Sequence, residues 1–98
     1  MSQFDVYRLG DGTLALDLQS NLLDTGMRAM VPLRPLPDEM PRVPRLTPVL
    51  GVNGEPHVLR MDELASVPVR LLRTDPVADL SDERDKVRDA LDYLFQGF

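Results

Sequence analysis

Residues 81–98 limit the possible folds most strongly, because their apolar side chains follow the period of an α-helix. Ser81 is predicted to cap the first turn, where the acidic residues that follow it interact favourably with the helix dipole. Gly97 suits the left-handed conformation that ends many helices. We therefore expect an amphipathic C-terminal helix that packs on the rest of the chain through one apolar side. This side consists of Val87, Ala90, Leu91, Leu94, Phe95 and Phe98.

Two stretches before this helix have the pattern of β-hairpins. In the first, apolar and polar residues alternate on both sides of a turn that contains Gly10 and Gly12. In the second, Asn53 and Gly54 fit the type I′ turn that matches the twist of two antiparallel strands. The apolar side of the first hairpin is predicted to contain Phe4, Val6, Leu14, Leu16 and Leu18.

Further strands are predicted at residues 27–33 and 67–72, where apolar residues dominate. Proline cannot donate to a sheet ladder, so Pro32 and Pro68 are expected at a sheet edge or a strand end. A short turn or helical link is expected at residues 62–65. The predicted order is therefore several short antiparallel strands followed by one helix, which is a β-rich α+β class.

The segment 20–26 carries Leu22 and Leu23 among turn-forming residues. Two interpretations are open for this pair. Both side chains belong to the core, or both form an exposed contact pair.

Five prolines between residues 34 and 48 remove backbone donors and predict a loop without regular structure. A surface connection is one interpretation, and an extended polyproline ligand for an SH3-like partner is the other. Arg34, Arg42 and Arg45 make this loop the densest positive patch of the chain. Such a patch could receive an acidic partner segment or could simply be solvated.

The composition restricts the classes of function. Of the 98 residues, 43% are hydrophobic, which is enough for one folded domain over residues 1–98. The net charge of −5 argues against direct binding to nucleic-acid phosphates. No cysteine is present and His57 is the one histidine, so neither the common zinc ligand sets nor Cys/His catalysis is expected. We therefore expect no cofactor. No apolar run is long enough to span a bilayer and no signal segment is present, so we expect no membrane contact and a cytoplasmic protein.

Several short blocks of the sequence together carry a resemblance to a known family. They are residues 4–7 (FDVY), 16–20 (LDLQS), 22–25 (LLDT), 31–33 (VPL), 48–49 (PV), 61–69 (MDELASVPV), 77–81 (VADLS) and 94–98 (LFQGF). In this order, and over nearly the whole chain, they resemble the CcdB family of bacterial toxins. The final block resembles the family's terminal Phe-x-Gly-aliphatic sequence.

The resemblance implies an SH3-like antiparallel barrel with a small accessory sheet and one C-terminal helix, the fold shared by CcdB and MazF toxins. It also implies a homodimer. Members of the family bind the GyrA subunit of DNA gyrase, between the arms of its two copies, and trap the cleaved gyrase–DNA complex, without an enzymatic activity of their own. A CcdA-like antitoxin neutralises them, and the toxin contacts DNA only through this complex, which represses its own operon.

The resemblance further implies two sets of site residues. Arg42 and Arg45 are assigned to antitoxin binding. This chain departs from the family at Gln96, where most characterised toxins have a tryptophan. The gyrase-binding set is Leu22, Leu23, Asp89, Asp92, Gln96, Gly97 and Phe98.

Two other functions are weighed beside gyrase poisoning. The first is a non-toxic protein that keeps antitoxin binding and acts as a co-repressor, as the loss of the tryptophan would suggest. The second is a MazF-type endoribonuclease, since the barrel is shared, although a common fold does not imply common chemistry.

Overall fold

A computed structural model describes residues 2–72 and 74–97 and contains, within them, seven strands and one α-helix. Short 3-10 turns lie at Met61–Glu63, Val69–Leu71 and Ser81–Glu83. The protein is therefore mostly β with one C-terminal helix, as predicted. The elements are β1 (Asp5–Arg8), β2 (Leu14–Asp17), β3 (Met27–Pro35), β4 (Val49–Val52), β5 (Glu55–Leu59), β6 (Ala65–Pro68), β7 (Ala78–Asp79) and α1 (Arg84–Gln96).

The sheet is antiparallel and nearly closes into a barrel. Its strands follow the order β4-β5-β3-β2-β1-β7, and β6 is a small extra strand that pairs with β3. The Asn53 side-chain Nδ2 donates to the Val77 carbonyl oxygen at 3.0 Å, which links the β4–β5 turn to the segment before β7. This link joins the two ends of the strand order, and the expected barrel architecture is confirmed.

Both predicted hairpins are present. β1 pairs with β2, and β4 pairs with β5 through a turn in which Asn53 and Gly54 have φ of 51° and 83°. These positive angles are those that a type I′ turn requires. The strand β7, which pairs with β1, was not predicted. Its two residues are too few to show an alternating pattern in the sequence.

Pro32 lies inside β3, so its predicted place at an edge or a strand end is wrong. β3 pairs with β2 along one side, while its other side is shared by β6, which pairs up to Met30, and β5, which pairs from Leu33. Pro32 falls in the gap between these two partners, where its carbonyl accepts from the Arg60 N–H at 2.9 Å. The lack of an N–H group at Pro32 therefore removes no hydrogen bond between paired strands.

The two faces of the sheet bury different clusters, as the alternation of side chains along each strand requires. The smaller cluster contains Tyr7, Ala15, Met30 and Leu72. The larger core is enclosed by the opposite face and by α1. Its members are Phe4, Val6, Leu16, Val31, Leu33, Leu50, Val52, Leu59, Met61, Leu80, Val87 and Ala90.

The helix begins later than predicted, because Ser81–Glu83 form a 3-10 turn before α1. The N-cap positions of this turn and of α1 are Leu80 and Glu83, so the predicted capping role of Ser81 is wrong. Instead Ser81 N–H donates to Asp79 Oδ1 at 2.8 Å, and this hydrogen bond lowers the pKa of Asp79. The C-terminal prediction is confirmed, since Gly97 has φ of 77° and its N–H donates to the Tyr93 carbonyl. None of the helices in the described residues could cross a bilayer, given their length and polarity.

Replacing Gly54 by alanine should destabilise the protein by about 1 kcal/mol, because a side chain disfavours the left-handed conformation that this residue adopts. A Cβ there would meet no neighbouring atom, so strain in the backbone is the sole cost. The free energy of unfolding in urea measures it. Gly51→Ala is the matched control, since Gly51 lies in the adjoining strand with equal space and no positive φ. Equal losses in both variants would contradict the assignment of the turn.

Candidate protein-binding surface

The loop of residues 18–26 between β2 and β3, here the 18–26 loop, presents two leucines to solvent. Leu22 is 93% exposed and Leu23 is 55% exposed. Ser20 turns the chain at this point, since its Oγ accepts from Leu22 N–H at 3.2 Å and its carbonyl accepts from Leu23 N–H at 3.1 Å. The interpretation of this pair as core residues is wrong, because a turn this tight directs both side chains away from the sheet.

The end of α1 presents a further apolar side chain. Phe95 is 73% exposed, so its assignment to the packing side of the helix is wrong, whereas Val87 and Ala90 are buried as predicted. Gln96 and Gly97 are also exposed. The predicted site residue Phe98 lies outside the described residues.

Two predicted site residues from different sets bind each other. Arg45 donates from Nε and Nη2 to the two carboxylate oxygens of Asp89, at 3.0 and 2.9 Å. The Arg45 guanidinium also lies 5.2 Å from the centroid of the Tyr93 ring. The hydrogen bonds from Arg45 lower the pKa of Asp89. A residue assigned to antitoxin binding therefore holds one assigned to gyrase binding, while Arg42 and Asp92 are exposed.

The proline-rich loop of residues 36–48, here the 36–48 loop, is fixed by a buried arginine that sequence reasoning missed. Arg60 is 2% exposed, and its Nη1 donates to the Pro41 carbonyl at 2.9 Å. The same guanidinium forms a hydrogen-bonded ion pair with Asp62 and lies 3.8 Å from Asp38. The available signal was a single charge within the apolar run of residues 58–61.

The 36–48 loop also exposes apolar side chains, which the proline pattern did not indicate. Leu36, Met40 and Val43 are 39%, 45% and 44% exposed, and Arg42 lies between the last two in sequence. This mixture of apolar and positive groups resembles the composition of protein interfaces more than that of a solvated linker.

His57 is buried in β5, where its Nδ1 lies 2.9 Å from the carbonyl oxygen of Glu55. Within residues 2–72 and 74–97, no group of three or more His, Asp or Glu side chains is placed to hold a metal ion. The exposed apolar side chains and ion pairs of the described surface are groups through which proteins bind one another.

Comparison with protein families finds a matching family model. The model described as CcdB protein matches residues 3–97 of the 98-residue chain. Comparison with curated proteins gives no match.

Replacing Arg45 by glutamine should raise the pKa of Asp89 towards its ordinary value, because the two hydrogen bonds that favour the carboxylate are lost. A lowered pKa in the folded state means that the pair stabilises the fold above the unfolded pKa of Asp89, and that this contribution is lost as pH falls through the folded pKa. Titration of the Asp89 carboxyl carbon by NMR measures the change. Arg42→Gln is the control, and an unchanged Asp89 pKa in Arg45→Gln would contradict the pairing.

Proposed function

The chain belongs to the CcdB family, and we propose from this premise that it binds the GyrA subunit of DNA gyrase and traps the cleaved gyrase–DNA complex. Membership suggests the toxin of a toxin–antitoxin pair, and the family is one of non-enzymatic toxins. The observation that carries the proposal is the extent of the family match, residues 3–97.

The exposed apolar residues support an action through binding. Large exposed apolar side chains favour association with a partner, because binding removes their apolar surface from water. Leu22, Leu23 and Phe95 have this character. We propose that the first two, together with Asp89, Asp92 and residues 96–98, contact gyrase.

We further propose a homodimer in which each copy contributes one helix end, so that the target surface occurs twice. One domain over residues 1–98 would carry both binding functions. A CcdA-like antitoxin would bind at Arg42 and Arg45 of the 36–48 loop, and the complex of the two proteins would repress their operon. Gyrase and the operon are cytoplasmic targets, which makes the cytoplasm the proposed location.

The second candidate is a CcdB-like protein that binds antitoxin and acts as a co-repressor without poisoning gyrase. Gln96 is the observation that favours it, because the exposed position at the end of α1 carries a flexible amide. An aromatic ring would offer a larger rigid contact area at this position.

Purified protein should increase the amount of gyrase–DNA cleavage complex, and replacing Leu22 and Leu23 by serine should reduce this activity at least tenfold. Both leucines are exposed, so the double variant should keep its thermal unfolding midpoint. Leu71→Ser is the matched control, because Leu71 is 53% exposed after β6 and belongs to neither assigned set. A protein that neither stabilises cleavage complexes nor arrests growth would overturn the proposal of gyrase poisoning.

Replacing Gln96 by tryptophan should increase the affinity for the GyrA arm about tenfold, because a buried aromatic anchor contributes roughly 1 to 2 kcal/mol or more. Calorimetric titration of the isolated arm with both proteins measures this difference. Gln96→Leu separates added apolar area from aromatic stacking. If the wild type is inactive and Gln96→Trp poisons gyrase, the co-repressor function is favoured.

A further inference from the structure

A buried ion pair lies at the base of the 18–26 loop. Asp17 is fully buried and the Arg28 side chain is 8% exposed. Arg28 Nε donates to Asp17 Oδ2 at 2.9 Å, and Arg28 Nη2 lies 2.8 Å from the same oxygen. Asp17 is the last residue of β2 and Arg28 the second residue of β3, so the pair joins the two strands where the loop leaves the sheet.

Stability of the sheet does not by itself account for such a pair. Removing two charges from water is costly, and apolar side chains of similar volume often stabilise a protein equally well. The same face of the sheet buries the apolar residues Ala15 and Met30 beside the pair. What apolar side chains could not supply at this position is a set of directed hydrogen bonds.

These hydrogen bonds go to the backbone of the loop. Asp17 Oδ1 accepts from Gln19 N–H at 2.9 Å, and Arg28 Nη2 donates to the Gln19 carbonyl at 3.0 Å. Both backbone groups of Gln19 are thus held by the ion pair. The Gln19 side chain in turn accepts from Ala29 N–H at 3.3 Å, which ties the start of the loop to β3.

Other segments of the chain form hydrogen bonds with the first residues of the loop and with its last residue. Gln3 donates from its side chain to the Leu18 carbonyl at 3.0 Å and from its backbone to Asn21 Oδ1 at 2.7 Å. At the far end, Val69 N–H donates to the Gly26 carbonyl at 3.0 Å. The loop is therefore fixed at its base, while Leu22 at its tip is 93% exposed.

We propose that Asp17 and Arg28 are positioning residues, which hold the 18–26 loop in the conformation that presents Leu22 and Leu23 to a protein partner. The inference rests on the proposed function for the identity of that partner, the GyrA arm. The fixed loop removes the entropy cost of ordering these leucines when the partner binds.

The test replaces the pair by apolar residues of similar volume, Asp17→Leu with Arg28→Met. The double variant should keep its circular dichroism spectrum and a cooperative thermal transition, while amide hydrogen exchange in residues 19–25 should become at least tenfold faster. Affinity for the GyrA arm should fall about tenfold, as expected if the loop occupies its binding conformation about one tenth of the time.

The control is Arg34→Gln with Glu63→Gln, which removes a partly exposed ion pair with the same 2.8 Å separation away from this loop. Neither exchange at residues 19–25 nor affinity should change in it. A folded Asp17→Leu, Arg28→Met protein with native exchange and native affinity would overturn the proposal.

Arg28→Lys keeps the positive charge beside Asp17 but lacks the fork that reaches the Gln19 carbonyl, so it tests the same inference if the double variant does not fold. It should show faster exchange at residues 19–25, and native exchange there would overturn the proposal. If the wild type does not bind the GyrA arm, the proposed function fails, whereas the exchange rates still measure whether the ion pair positions the loop.

Discussion

Complete hydrogen bonding of the β3 backbone is the constraint on which the rest of the structure depends. A central strand must pair its N–H and C=O groups on both sides, because an unpaired buried backbone group is costly. β2 pairs with one side of β3, and β5 and β6 divide the other. The chain must therefore turn between β5 and β6 within a few residues, beside Pro32. This short turn contains Arg60, whose backbone N–H bonds the Pro32 carbonyl while its side chain is directed to the 36–48 loop.

Two buried arginines supply hydrogen bonds to the backbone of the two long loops, which have no strand partners there. Arg28 bonds the backbone of the 18–26 loop at Gln19, and Arg60 bonds the 36–48 loop at Pro41. A guanidinium has five donors in a rigid plane, so one side chain can satisfy a carboxylate and a loop carbonyl together. Hydrogen bonds from these two side chains thereby hold both long loops of the small barrel at a backbone carbonyl.

Local chemistry accounts for what the sequence could predict. Asn53 and Gly54 define their hairpin, and Gly97 ends the helix, because each needs a backbone conformation that few residues adopt. Most of the antiparallel strands and the single helix followed from alternation and helical spacing. The strand predicted at residues 67–72 is wrong beyond Pro68, where β6 ends and Val69–Leu71 form a 3-10 turn. The exposure of Leu22 was not predictable, since an apolar pair in a turn is compatible with either environment. Contacts between residues distant in sequence were not predictable either. Arg45 and Asp89 are 44 residues apart, and the sequence around neither residue indicates that they form an ion pair.

The exposed leucines of the 18–26 loop also bear on how copies of the protein behave towards one another. An exposed apolar side chain such as Leu22 can pack against a second copy as well as against a target. The net charge of −5 provides mutual repulsion at neutral pH. The isoelectric point is about 4.6, and near that pH the repulsion vanishes while the apolar tip stays exposed. Near this pH, net charge therefore no longer opposes contact between the exposed Leu22 side chains of two copies.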